Sequence, residues 1–201
     1  DLLKCMKDAG CVDVGLGIES GSQTILDAMN KKSTVEQNLS ALTAVKEAGL
    51  ETVVQCIYGY PGENSDTINE TIDFFRRADT LHQGFFVLTP LPGTTLYNQC
   101  LEQGIIVNED EYLSNLDAGY NTSRDALVNL TAFNINEFYE KKYYMEDKIT
   151  LNYFLRHPFK KVVIRDNNNN LHPRLLGWEV LQMSLKKMRR SSPRWKKSMA
   201  F

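Results

Sequence analysis

The sequence predicts an α/β fold with a parallel sheet, followed by a mainly helical carboxyl-terminal extension. Three observations carry this. Apolar runs at 12–19, 52–59 and 85–90 have the length and the branched or aromatic composition of buried strands. Each run is followed by apolar residues at helical spacing. Each connection is long enough to hold a helix, which makes the strands parallel and the crossovers right-handed.

Leu2, Leu3 and Met6 form a helical pattern that stops at Gly10. The chain begins inside that pattern at Asp1, which reads as a cut. In the first strand run, Val12, Val14, Leu16 and Ile18 share one face. Asp13, Gly15, Gly17 and Glu19 share the other, nearly bare until it ends in a carboxylate. Ser22 is placed to cap a short helix with Ile25, Leu26 and Met29, and Ser33 with Glu36 reads as a capping box. Val35, Leu39, Leu42 and Val45 continue as a helix that Gly49 stops. The second strand run delivers the turn Tyr60-Pro61-Gly62-Glu63, and Thr67 with Glu70 reads as a second capping box. The third run ends in Leu91-Pro92-Gly93-Thr94, after which Leu96 to Leu101 is helical until Gly104.

Residues 105–133 read as an irregular connection with short helical pieces. Asn134 and Glu137 start a long helix that Pro158 ends, and Asn167 to Asn170 is a polar turn. Pro173, near a helix start, leads into Leu175, Leu176, Trp178, Leu181, Met183 and Leu185. The chain thus divides into an α/β part at 1–104, a mainly helical extension at 105–190 and a basic tail at 191–201.

The 201 residues carry a formal net charge of −2, unevenly spread. Residues 1–100 hold 7 basic and 13 acidic residues, a net of −6, and residues 101–201 hold 16 and 12, a net of +4. Lys186 to Phe201 has seven basic residues and no acid, so nucleic acid is a conceivable partner, although a solvated tail is the simpler reading. No membrane span and no secretory signal are visible, and the expected location is cytoplasmic. Cys5, Cys11, Cys56 and Cys100 lack the spacing of a zinc site or a dithiol motif, and His82, His157 and His172 are scattered. Gly15, Gly17 and Gly21 nearly spell a dinucleotide fingerprint, but its acidic residue would fall near Glu36, inside a helical pattern. That reading is rejected. In parallel α/β folds the carboxyl ends of the strands carry the chemistry, and Glu19, Glu63 and the Pro90–Thr94 turn all lie there.

Five short motifs, in order, carry a family likeness: Gly10-Cys11, Leu16-Gly17-Ile18-Glu19-Ser20-Gly21-Ser22, Met29-Asn30-Lys31, Ile57-x-Gly59-Tyr60-Pro61-Gly62-Glu63 and Thr89-Pro90-x-Pro92-Gly93-Thr94. Over residues 1–104 they resemble the second half of a radical S-adenosylmethionine core domain. The rest is similar, less specifically, to the tail of the cobalamin-binding branch. The resemblance implies a partial (β/α)6 barrel, S-adenosylmethionine as cofactor and a 4Fe–4S cluster, with cobalamin open as a further cofactor. In that family a Cys-x-x-x-Cys-x-x-Cys loop holds the cluster. Reductive cleavage of the sulfonium yields a 5′-deoxyadenosyl radical that abstracts hydrogen from substrate.

This sequence has no Cys-x-x-x-Cys-x-x-Cys. The resemblance therefore implies the carboxyl-terminal portion of a longer enzyme, inactive alone, whose partner is the amino-terminal half of the same barrel. By the same likeness Glu19 and Ser20 meet the ribose, and Gly21 is a further cofactor-binding residue. Ile57 and Gly59 lie near the adenine, with Gln55 where the family pattern has glycine. Leu91 lends backbone groups to the adenine edge. Glu63 is either a turn acid or close to the ligand. No residue here is assigned to catalysis or to metal, and the substrate is unknown. The rival reading is a non-catalytic nucleoside-binding or RNA-interaction module without a cluster.

Overall fold

The computed structural model describes residues 2–116, 126–158, 161–165 and 171–176. Three parallel strands form one sheet in the order β1-β2-β3: β1 at Asp13–Glu19, β2 at Glu51–Tyr58 and β3 at His82–Val87. Helix α1 (Leu2–Asp8) precedes β1, and α2 (Gln23–Ala28) with α3 (Val35–Glu47) connects β1 to β2. Helix α4 (Ser65–Ala78) connects β2 to β3, and α5 (Thr95–Glu102), α6 (Glu109–Leu116) and α7 (Ile135–Arg156) follow. The alternation expected from the sequence is present, with the parallel pairing.

Period two decides which face is covered. Ile18, Val54, Cys56, Tyr58, Phe85 and Val87 are buried in one cluster with Leu42 of α3, Phe74 and Phe75 of α4, and Phe138 and Met145 of α7. Gly15, Gly17, Gln55 and Phe86, on the other face, are exposed. Val12, expected on the apolar face, lies before the strand and is exposed. Tyr58 ties α7 to the sheet: its hydroxyl donates to the Phe138 carbonyl at 2.7 Å, and the two rings lie 4.7 Å apart.

Two capping boxes are displaced from the expected ones, the first by one residue and the second by three. Thr34 and Gln37, not Ser33 and Glu36, cap α3: Thr34 Oγ1 accepts the Gln37 N–H at 3.1 Å and Gln37 Oε1 accepts the Thr34 N–H at 2.8 Å. Asn64 and Thr67, not Thr67 and Glu70, cap α4. Adjacent candidates have the same spacing, so the local pattern does not choose between them. Ser22 stands at the N-cap of α2, but its side chain makes no cap bond and donates to the Glu70 carboxylate. The Asn134–Glu137 box on α7 is as expected.

The third strand ends at Val87, short of the expected 90. Pro90 has no N–H for the ladder, and its carbonyl accepts from the Tyr112 hydroxyl at 2.6 Å.

The expected helix start at Pro173 is overturned. Lys161–Arg165 (β4) and Leu171–Leu176 (β5) pair antiparallel, and Pro173 stands in β5 beside a register shift. A bulge on a two-stranded ribbon tolerates a residue without an N–H. Residues 177–190 of the expected helix and the basic tail at 191–201 lie outside the described residues. Among the described residues no helix is long and apolar enough to cross a membrane.

The far end of the helical layer is tied by charge. Asp79, in the left-handed region at φ 48°, ends α4. Its carboxylate meets Arg156 Nη1 at 2.6 Å and His157 Nε2 at 2.8 Å, while Lys46 Nζ donates to its carbonyl at 2.6 Å.

Candidate functional site

The candidate site lies over the carboxyl ends of the strands, on the face the helices leave open. Glu19 is the last residue of β1 and adopts φ 67°, rare for a residue with a side chain. A register shift between Gly17 and Glu19 leaves Ile18 unpaired, so Glu19 stands opposite Cys56. The bulge and the left-handed backbone together turn the carboxylate back over Gly17. A Cβ placed on Gly17 would lie 2.7 Å from Glu19 Oε1. Lys31 Nζ lies 3.2 Å from that oxygen and donates to the Gly17 carbonyl at 2.9 Å. Lys31 was not among the residues expected at the site.

Ser20 and Gly21 face the helix layer. Ser20 is 2% exposed, with its hydroxyl 3.4 Å from the Thr71 hydroxyl. The Gly21 N–H donates to Thr71 Oγ1 at 3.2 Å. A Cβ on Gly21 would come within 2.6 Å of the Thr71 Cα and 2.5 Å of the Phe74 Cβ. Gly21 thus sets how closely β1 approaches α4.

On β2, Gln55 is paired with Gly17 and Gly84, and Ile57 with Phe86, so both lie on the open face. Gly59 does not: it has φ 94°, and a Cβ there would come within 2.9 Å of the Phe138 ring. A side chain at Gly59 would therefore point at α7 and not onto the open face. The glycine is required by the turn and by α7.

Tyr60-Pro61-Gly62-Glu63 closes with the Glu63 N–H on the Tyr60 carbonyl at 3.0 Å, with Gly62 at φ 92°. Leu91-Pro92-Gly93-Thr94 repeats this, with the Thr94 N–H on the Leu91 carbonyl at 3.1 Å and Gly93 at φ 84°. Proline at the second position and glycine at the third suit a type II turn. Two like turns therefore follow the neighbouring strands β2 and β3. The Leu91 carbonyl also accepts the Thr94 hydroxyl at 2.7 Å, so the turn itself uses the backbone oxygen of Leu91.

Glu63 is 3% exposed, and its carboxylate accepts the Gly59 N–H. Burial pushes its carboxyl up to about 7, against backbone N–H bonds from Gly59 and Tyr60 that favour the ionised form. Here it is a turn acid.

The cysteines do not suit an iron–sulfur cluster. Cys5 and Cys11 flank the amino end of β1, away from the site, while Cys56 and Cys100 are buried. Burial pushes the Cys56 thiol up, with Glu19 and Glu63 adding to the shift, which opposes the thiolate a metal needs. Among the described residues no group of three His, Cys, Asp or Glu side chains is placed to hold a metal ion.

A carboxylate at a strand end, over a bare sheet face, stands at the edge where parallel α/β folds commonly place ligand sites. Residues 1–75 match the family model for the Radical SAM superfamily. An uncharacterized methyltransferase of Pyrococcus horikoshii is 34% identical over 104 residues, which are 52% of this chain and 23% of that protein. The anaerobic magnesium-protoporphyrin IX monomethyl ester cyclase of Rubrivivax gelatinosus is 31% identical over 111 residues, which are 55% of this chain and 20% of that protein. The chain thus spans about a fifth of the length of these curated relatives. The solved cobalamin-dependent S-adenosylmethionine radical enzyme OxsB aligns at 24% identity and a TM-score of 0.37, over 57% of this chain and 15% of that one. That score is too low to bring cobalamin to this chain.

Proposed function

We propose that this chain forms the ribose and adenine side of the S-adenosylmethionine site in a radical S-adenosylmethionine enzyme. Its sheet is then part of a (β/α) barrel, and the amino-terminal half of that barrel supplies the cluster-binding cysteines. The observation that carries the reading is the Glu19 carboxylate, held over bare Gly17 at the carboxyl end of a strand inside the Radical SAM match. An ionised carboxylate only accepts hydrogen bonds, and a ribose offers two hydroxyl donors on adjacent carbons. Ile57 and its cross-strand neighbour Phe86 give a flat base an apolar floor on the same face, with the Gln55 amide beside it. Ser20, Gly21 and Gly59 act from behind by fixing how the strand ends meet α4 and α7. Leu91 and Glu63 shape the two turns that border the site.

The cluster, when bound by residues outside this chain, supplies the electron that cleaves the sulfonium. This chain's part is to bind and orient the nucleoside end. Methyl transfer and ring formation, named for the two relatives above, are the classes of reaction the parent enzyme is proposed to share.

The test is a ligand titration followed by NMR on the 201-residue chain, with S-adenosylmethionine as probe. Glu19→Gln keeps size but exchanges an acceptor oxygen for a donor. A hydrogen bond to a charged group contributes about 1.5–3 kcal/mol, so affinity should fall about ten- to a hundredfold. Equal binding by both proteins removes Glu19 from the site. Enzyme and non-catalytic module are then separated in a longer polypeptide that joins this segment to a Cys-x-x-x-Cys-x-x-Cys. Reduction should release 5′-deoxyadenosine, and a reconstituted cluster that releases none favours the module.

A further inference from the structure

We propose that Lys31 is a positioning residue that presents one oxygen of Glu19 to a ribose diol. This rests on the nucleoside-binding reading above. The Met29-Asn30-Lys31 motif is what places it. Met29 is the C-cap of α2, and Asn30 follows in the left-handed region at φ 54°. The Asn30 N–H donates to the Asp27 carbonyl and the Lys31 N–H to the Leu26 carbonyl, both at 2.9 Å. These two bonds are a Schellman motif, with asparagine where glycine is commoner. Leu26 is fully buried, so the Lys31 backbone is fixed to the core. Its side chain crosses back to β1.

There the ammonium spends two of its three donors, on the Gly17 carbonyl at 2.9 Å and Glu19 Oε1 at 3.2 Å. The carboxylate lies where the Gly17 side chain would otherwise be. Glu19 Oε1 is thus engaged, and Oε2 has no protein partner among the described residues. The side chains are 36% and 24% exposed, so the ion pair adds little to stability. It acts on order. A glutamate left to its own rotamers must be immobilised when ligand arrives, whereas this one is held beforehand.

Lys31→Met keeps the length and the apolar stem and removes the clamp. The probes are adenosine and 2′-deoxyadenosine, titrated against the 201-residue chain. Lys31→Met should weaken adenosine about three- to tenfold and leave 2′-deoxyadenosine nearly unchanged, collapsing the preference for the diol. Lys31→Arg should restore it. In a Glu19→Gln background Lys31→Met should cost nothing further, because the lysine acts through Glu19. Unchanged diol preference in Lys31→Met overturns the proposal, as does a full additional loss in the double variant. A second readout needs no ligand: the Glu19 carboxylate carbon resonance should move in Lys31→Met and return in Lys31→Arg. If the parent chain binds neither nucleoside, the nucleoside reading fails. The carbon signal then still decides whether Lys31 holds Glu19, and an unmoved signal refutes it.

Discussion

The Glu63 carboxylate accepts the backbone N–H of Gly59, so an acid closes the loop that follows β2. The same contact bridges two residues of one short motif and buries a titratable group beside the candidate site.

Glu63 makes stability depend on pH in a defined direction. Its carboxyl is pushed from an ordinary 4.5 up to about 7, chiefly by burial. The folded chain therefore holds this proton more tightly than the unfolded chain does. The stabilisation is complete below about 4.5 and is lost as pH rises through about 7. Urea denaturation of the parent and of Glu63→Gln at several pH values checks this. The stability difference between the two should shift by on the order of 1–3 kcal/mol across that window, against the parent at high pH. A difference that stays constant with pH rules out the buried acid.

Gly21 and Gly15 should separate packing from ligand access. Gly21→Ala drives a methyl to 2.5 Å from the Phe74 Cβ and 2.6 Å from the Thr71 Cα. Overpacking against backbone costs about 1–3 kcal/mol, readable as a lower urea midpoint. Gly15 has nothing within 4 Å of a Cβ and no left-handed backbone. Gly15→Ala should leave stability within about 0.5 kcal/mol. Gly15→Phe should fold and yet weaken S-adenosylmethionine binding by filling the open face. If Gly15→Phe binds as the parent does, the bare face is not where the ligand lies.

Asp79 should show the opposite pH sign. Burial pushes its carboxyl up, but the His157 hydrogen bond, with Arg156, His157 and Lys46 charges, holds it below the ordinary 3.8 overall. Its contribution is present above that ordinary value and lost as pH falls through the lowered one. The side chain is 42% exposed, so Asp79→Asn should cost no more than about 1 kcal/mol at neutral pH. The cost should vanish in strong acid. A loss that persists there points to hydrogen-bond geometry at this position rather than to the charge, since asparagine tolerates the left-handed backbone as well as aspartate does.

Much of the scaffold was legible because it is periodic. Val54, Cys56 and Tyr58 alternate into the core as their spacing requires, and Asn134 with Glu137 caps α7 where that pair predicts. The caps of α3 and α4 were misplaced because each neighbourhood holds two overlapping pairs, and Glu70 is claimed from afar by Ser22. The hairpin of β4 and β5 was missed because Pro173 reads as a helix start, whereas it stands in a bulged edge pair.

The site was legible as motifs and not as geometry. Glu19, Ile57 and the two Pro-Gly turns were found at the strand ends, where alternation and turn chemistry put them. Lys31 was passed over, because a contact across twelve residues leaves no periodic trace.

The sequence by itself determined that three strands alternate with helices, that they run parallel and which edge carries the candidate site, since each follows from spacing and connection length. Tertiary structure alone decided where the groups at that edge point. The bulge at Ile18 and the left-handed Glu19 fold the carboxylate over Gly17, the Schellman end of α2 brings Lys31 to it, and α4 and α7 claim Gly21 and Gly59. The physical reason is that a side chain's direction at a strand end depends on backbone angles set by long-range packing, which local spacing does not encode.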